Sequence, residues 1–341
     1  MATDLPTGPN ARVFPSVGPA LFEAVRAAGA RRILLQVPAG LVRNAHDLAG
    51  EIAQASGARV SVSVRPCFGA CDLPSAAEAG PSDLVISLGH APIPNVRLER
   101  TTFFVEMRDP RGDPDRLAGI VADGGLPRRL GLVFSIQHLD LAGVLPAALE
   151  RRGYTGVIGT GDRRLAYPGQ ALGCNYTSAE SIADRVEAFL FLGTGRFHPL
   201  GLAWATDRPV WALDPAQGRL EPPIDRAALV AQRQLLVASV RDARRWGILV
   251  SGFAGQDRSA TARALEERAK AKGHSATILR FDRLDPRDLE GRDLDAYVST
   301  ACPRIALDDR ALYGRPLLTP PEFLMALGEL PLAPYRFDTY H

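Results

Sequence analysis

The stretch RRILLQVPAGL, residues 31–41, opens with two arginines, runs at once into apolar residues dense enough for a strand, and breaks at Pro38 and Gly40. The same opening returns twice, as RRLGLV at 128–133 and RRWGILV at 244–250. After each comes a loop with glycine or polar residues, a helix-like stretch rich in alanine, leucine, arginine and glutamate, and a second short β-like run. Strand, helix, strand is the unit of a parallel sheet. Carried outward, the reading predicts strands near 32–36, 58–64, 83–88 and 102–106, then near 130–136, 155–159, 188–192 and 209–213, and finally near 247–251, 275–280, 295–299 and 316–318. Four strands three times over describes an α/β chain of three similar parallel-sheet domains, although any α/β chain shows strand–helix–strand segments. The turn-rich segments DPRGDPDR (109–116) and DPAQGRLEPP (214–223) mark the joints and divide the chain into residues 1–114, 115–219 and 220–341.

With 341 residues, 46% hydrophobic and 23% charged, the chain has a soluble globular balance and length for several domains. Its 40 basic residues nearly cancel 38 acidic ones, leaving a formal charge of +2 and no global case for direct nucleic-acid binding. The start MATDLPTGPN lacks a charged region followed by an apolar one, and no run approaches the roughly 18 apolar residues of a membrane span. The expected location is the cytoplasm, with no membrane partner. There Cys67, Cys71, Cys174 and Cys302 fit metal ligands, catalytic groups or buried thiols better than a disulfide framework. No Walker loop or GxGxxG fingerprint follows a first strand.

In parallel α/β units the functional loops leave the carboxyl ends of strands. Cys71 lies in VRPCFGACDLPS (64–75) after the second strand of the first unit, and Cys174 in GDRRLAYPGQALGCNYTSAE (161–180) after the second strand of the second. Cys302 follows the third strand of the third unit, in DAYVSTACPRIALDD (295–309). If the units meet around a common centre, three thiolates could converge on one iron–sulfur cluster and leave one iron open. Buried core thiols are the alternative. Cys67-x-x-x-Cys71 also has the first spacing of the radical S-adenosylmethionine (SAM) motif CxxxCxxC, but Pro74 stands where its third cysteine would be.

Seven segments in order then resemble the diphthamide-synthesis radical SAM family: QVPAGL (36–41), FGAC (68–71), LGH (88–90), GQALGC (169–174), GRFHPLGLA (195–203), GQDR (255–258) and TACPR (300–304). The resemblance implies three domains in a pseudo-threefold arrangement around a central [4Fe-4S] cluster, held by Cys71, Cys174 and Cys302, and a homodimer. It further implies cleavage of the Cγ–S bond of SAM, with transfer of the 3-amino-3-carboxypropyl group to a histidine of translation elongation factor 2. That is the first step towards diphthamide. Two features depart from the family pattern: Asp72 stands where a second cysteine often follows, and Cys67 is not a family position.

Around the cysteines, Gln256 and Arg258 precede a helix expected to begin near Ser259, a place suited to the carboxylate or ribose of SAM or to a simple cap and surface arginine. Arg304 could hold the SAM carboxylate by paired hydrogen bonds, and Asp308 could line the same cavity or cap the following helix. His90 and His198 follow third strands in matching contexts and are possible cavity residues. Gly169, Gly173 and Gly255 read as backbone requirements. Two rival readings stay open: a dehydratase resembling quinolinate synthase, whose cluster acts as a Lewis acid, and an accessory iron–sulfur subunit. The electron donor is not legible.

Overall fold

The computed structural model describes residues 10–341; the start of the expected first domain and nearly all of the MATDLPTGPN segment lie outside the described residues. Strands β1 (Ala11–Phe14), β2 (Arg32–Gln36), β3 (Arg59–Val62), β4 (Leu84–Leu88) and β5 (Thr102–Val105) form one sheet in the order β1-β5-β4-β2-β3. A second sheet has β6 (Arg129–Phe134), β7 (Thr155–Val157), β8 (Ala188–Leu192), β9 (Val210–Asp214) and β10 (Arg219–Glu221) in the order β10-β9-β8-β6-β7. The third has β11 (Arg245–Ser251), β12 (Ser275–Phe281), β13 (Ala296–Ser299) and β14 (Leu317–Leu318) in the order β12-β11-β13-β14. Every expected strand is present within a few residues, and each unit sets its strands in the order second, first, third, fourth. All pairings are parallel except β9 with β10.

The second arginine of the first and third pairs has a structural reason. Asp83, immediately before β4, accepts hydrogen bonds from the backbone N–H of Arg31 (3.1 Å) and Arg32 (2.9 Å) and from the Arg32 guanidinium (2.9 Å). Asp295, immediately before β13, does the same for Arg244 N–H, Arg245 N–H and the Arg245 guanidinium, each at 2.9 Å. Glu187, just before β8, takes Arg129 N–H at 2.9 Å. A carboxylate thus satisfies donors ahead of the first strand while fixing the third beside it. The register agrees: Ile33 faces Leu84, Leu130 faces Ala188 and Trp246 faces Ala296. Every residue of β4, β8 and β13 is buried, as expected for central parallel strands covered on both faces.

Two edge strands were not expected from sequence, and one moves a boundary. β1 pairs with β5, and β10 continues the second sheet beyond β9. Because β10 is hydrogen-bonded to β9, the expected cut after residue 219 falls inside a strand of the second sheet. The expected cut after 114 falls at the start of the helix Pro114–Asp123, whose Leu117, Ala118 and Val121 pack into the core under β6 and β8. The last segment, expected in the third unit, crosses to the second: Phe337 packs edge-on against Tyr176 with ring centroids 5.8 Å apart, and Tyr340 N–H donates to the Cys174 carbonyl at 2.9 Å. Among the described residues no helix is long and apolar enough to cross a membrane.

Candidate functional site

The loops carrying Cys71, Cys174 and Cys302 meet at the carboxyl ends of the strands, one from each sheet. Cys71 leaves the loop after β3, Cys174 the long loop after β7, and Cys302 caps the short helix Pro303–Leu307 that follows β13. Burial raises all three thiols above the ordinary cysteine range, Cys71 to about 12. The neighbouring cysteines add to the effect: Cys174 pushes up Cys71, and Cys174 and Cys71 both push up Cys302. The three thiols lie close enough for their charges to interact, and a cation placed among them would favour the thiolates.

Close packing of the third unit on the first depends on Gly255. A Cβ there would stand 2.4 Å from Cα of Cys71 and 2.6 Å from its carbonyl oxygen, so only glycine lets the two loops touch. The next residue, Gln256, is buried and donates from Nε2 to Cys71 Sγ at 3.4 Å. Arg258, expected at a cofactor, is committed elsewhere: its Nη1 donates to both oxygens of Asp338 at 2.9 and 2.8 Å, and its guanidinium lies 5.0 Å from the Tyr340 ring. The reason is electrostatic. Asp338 is buried, and a buried carboxylate needs a cation partner.

Arg304 is 3% exposed and sits two residues past Cys302. Asp308 accepts from its Nε at 2.6 Å, and its guanidinium stacks 4.1 Å from the Phe197 ring. Its Nη1 and Nη2 are buried with no hydrogen-bond partner. Gly201, from the segment that resembled the family as GRFHPLGLA, makes room for them: a Cβ there would meet Arg304 Nη1 at 2.2 Å and Tyr176 Oη at 2.0 Å. Asp308 therefore aims the fork, and the two free nitrogens form a ready anion clamp.

His90 and His198 are brought towards one another, and burial pushes each down to about 4, so both are neutral at neutral pH. For His198 the charges of Arg304 and then His90 add to the effect. The His198 ring stacks on Phe191 at 5.8 Å, and its carbonyl accepts from Tyr176 Oη at 3.0 Å. His90 Nδ1 lies 3.7 Å from Sγ of Cys67. Cys67 is buried, and its N–H donates to the Val37 carbonyl at 2.9 Å in a bridge that extends the β2–β3 ladder through Pro38.

Sequence reading missed Arg164 and Tyr340. Arg164, 2% exposed, donates from Nη2 to the Gly255 carbonyl at 2.7 Å, stacks 4.0 Å from the Tyr340 ring, and its charge favours the thiolate of Cys174. The only signal for Arg164 was its position in the Cys174 loop; Tyr340 carried none. Among the described residues, no three His, Cys, Asp or Glu side chains are close enough to share a single metal ion. A four-iron cluster asks for something else, one soft thiolate per iron on separate corners, and three buried or part-buried thiols from three loops suit that donor set.

Residues 37–336 match the family described as "Putative diphthamide synthesis protein". The 2-(3-amino-3-carboxypropyl)histidine synthase of Pyrococcus horikoshii is 35% identical, covering 90% of this chain and 89% of that protein. Subunit 1 of the Gallus gallus synthase of the same name is 30% identical over 93% of this chain and 78% of its own length. The crystal structure of Dph2 from Pyrococcus horikoshii with a 4Fe-4S cluster superposes with a TM-score of 0.84 at 35% identity, covering 94% of this chain and 92% of that one.

Proposed function

The chain belongs to the diphthamide-synthesis family, and on that premise we infer that it is a 2-(3-amino-3-carboxypropyl)histidine synthase, an alkyl-transferring enzyme that uses SAM and a [4Fe-4S] cluster in the first step of diphthamide biosynthesis. The observation that carries the reading is the meeting of Cys71, Cys174 and Cys302 from three sheets beside an unpaired guanidinium fork. We propose those three cysteines as the cluster ligands. Bound there, the cluster supplies one electron and an iron left open for SAM.

The chain's own residues do the rest. Nη1 and Nη2 of Arg304 have the geometry to bind the SAM carboxylate, with Asp308 fixing the fork and Phe197 flanking its face. Gln256 orients the Cys71 sulfur by hydrogen bonding. His90 and His198, kept neutral by burial, are placed as uncharged walls of the approach. Arg258 holds the carboxyl-terminal segment, an indirect part. The proposal extends to Cγ–S cleavage by radical chemistry, methylthioadenosine as the leaving product, elongation factor 2 as the protein substrate, a homodimer and a cytoplasmic site of action.

Selecting one histidine among many requires a protein surface to present it. With SAM labelled in its aminocarboxypropyl portion, label is expected on folded elongation factor 2 and absent from free histidine. Equal labelling of free histidine would overturn the proposed substrate.

A further inference from the structure

We propose that Arg164 is a positioning residue that sets the reduction potential of the cluster through the sulfur of Cys174, an inference that rests on the reading of Cys174 as a ligand. Arg164 is a buried charge without an acid. Arg164 is 2% exposed, yet among the described residues no carboxylate pairs with its guanidinium. Its Nη2 reaches only the neutral Gly255 carbonyl, at 2.7 Å, and its Nε has no partner. A buried cation with no anion is strongly unfavourable. The Gly255 it bonds lies against the backbone of Cys71, the Tyr340 ring it stacks on is bonded to the Cys174 carbonyl, and its charge favours the thiolate at both cysteines. The anion that compensates it is therefore sulfur.

The placement is well held. The Tyr340 ring lies 4.0 Å from the guanidinium, and Tyr340 is tied by its N–H to the Cys174 carbonyl at 2.9 Å and by its hydroxyl to the Asp257 carbonyl at 3.2 Å. Asn175 Nδ2 donates to the Tyr340 carbonyl at 2.9 Å. Arg164 is thereby fixed where the loops of Cys174, Gly255 and Cys71 meet. A buried cation beside a cluster ligand stabilises the reduced form, which carries one more negative charge, and so raises the reduction potential. Arg304 differs in kind, since its fork is aimed by Asp308 and left open for a ligand.

The test is a dithionite titration of the anaerobically reconstituted full chain, followed by electron paramagnetic resonance, with wild type, Arg164→Gln, Arg164→Lys and Cys174→Ala in parallel. The expected result is a more negative midpoint in Arg164→Gln, with Arg164→Lys lying between it and wild type. If Arg164→Gln holds no iron, retention of the cluster by Arg164→Lys still supports the charge account, and an equally empty Arg164→Lys overturns it. A full cluster at the wild-type midpoint in Arg164→Gln, with Cys174→Ala unable to hold one, overturns this inference alone. An intact cluster in Cys174→Ala overturns the ligand reading and this inference with it.

Discussion

At the scale of single residues the sharpest contrast is between two cysteines four positions apart. Cys67 is buried, its backbone extends the β2–β3 ladder, and its thiol rests 3.7 Å from His90. Cys71 instead lies against Gly255 and Gln256 of the third unit, among the other two loop cysteines. Cys67→Ser should keep the iron of wild type, and Cys71→Ser should lose it; iron and sulfide analysis of anaerobically purified protein reads the difference, and the reverse pattern would assign the ligand to the wrong thiol. The sequence made Cys71, Cys174 and Cys302 legible because each lies in a loop after a strand end, a local property. It left Arg164 and Tyr340 illegible because their roles exist only where segments from distant parts of the chain touch. Arg258 misled for the same reason, since its partner Asp338 lies in a tail that crosses between units.

Elements are registered by carboxylates and docked by glycine, and both devices give measurable consequences. Asp295 is held down to about 2 from its ordinary 3.8, mainly by its hydrogen bond with the Arg245 guanidinium and then by the Arg244 N–H. A carboxyl whose folded value lies below its unfolded one stabilises the fold above the unfolded value, and that contribution is lost as pH falls through the folded value. The anchor should therefore be fully present above about pH 4 and fade towards pH 2. Solvent screening limits it to about 1 kcal/mol. Asp295→Asn should lower the unfolding free energy at neutral pH by that amount, seen as a lower urea midpoint, and flatten the acid limb; an unchanged midpoint would remove the anchor from the account. Gly255→Ala puts a methyl 2.4 Å from Cα of Cys71 and should weaken the docking of the two loops by about 1–3 kcal/mol. The expected readout is loss of most of the cluster with far-ultraviolet circular dichroism unchanged. The doubled arginines were visible as a repeat before their acids were known, because backbone N–H groups ahead of a buried strand must be satisfied somewhere. β10 escaped notice because its three residues, RLE, lie inside the turn-rich stretch 214–223.

Across the whole molecule, three sheets of one strand order bring three loops to one place, and no unit alone holds more than one of the three proposed ligands. Contacts between units keep the loops together. Gln137 Nε2 donates to the Gly89 carbonyl at 2.8 Å, Tyr167 Oη donates to Glu106 at 2.7 Å, and Arg164 reaches Gly255. Fold class was readable from the repeat, but the joint between second and third units was not, since β10 is made of the same turn-rich residues that ordinarily mark a linker. The central claim is that these thiols hold a cluster that breaks the Cγ–S bond of SAM. The direct measurement is the nucleoside product when reconstituted protein is reduced with dithionite in the presence of SAM. Methylthioadenosine is expected from wild type and should vanish in Cys71→Ala, Cys174→Ala and Cys302→Ala; 5′-deoxyadenosine from wild type, or undiminished methylthioadenosine from all three variants, would contradict the account.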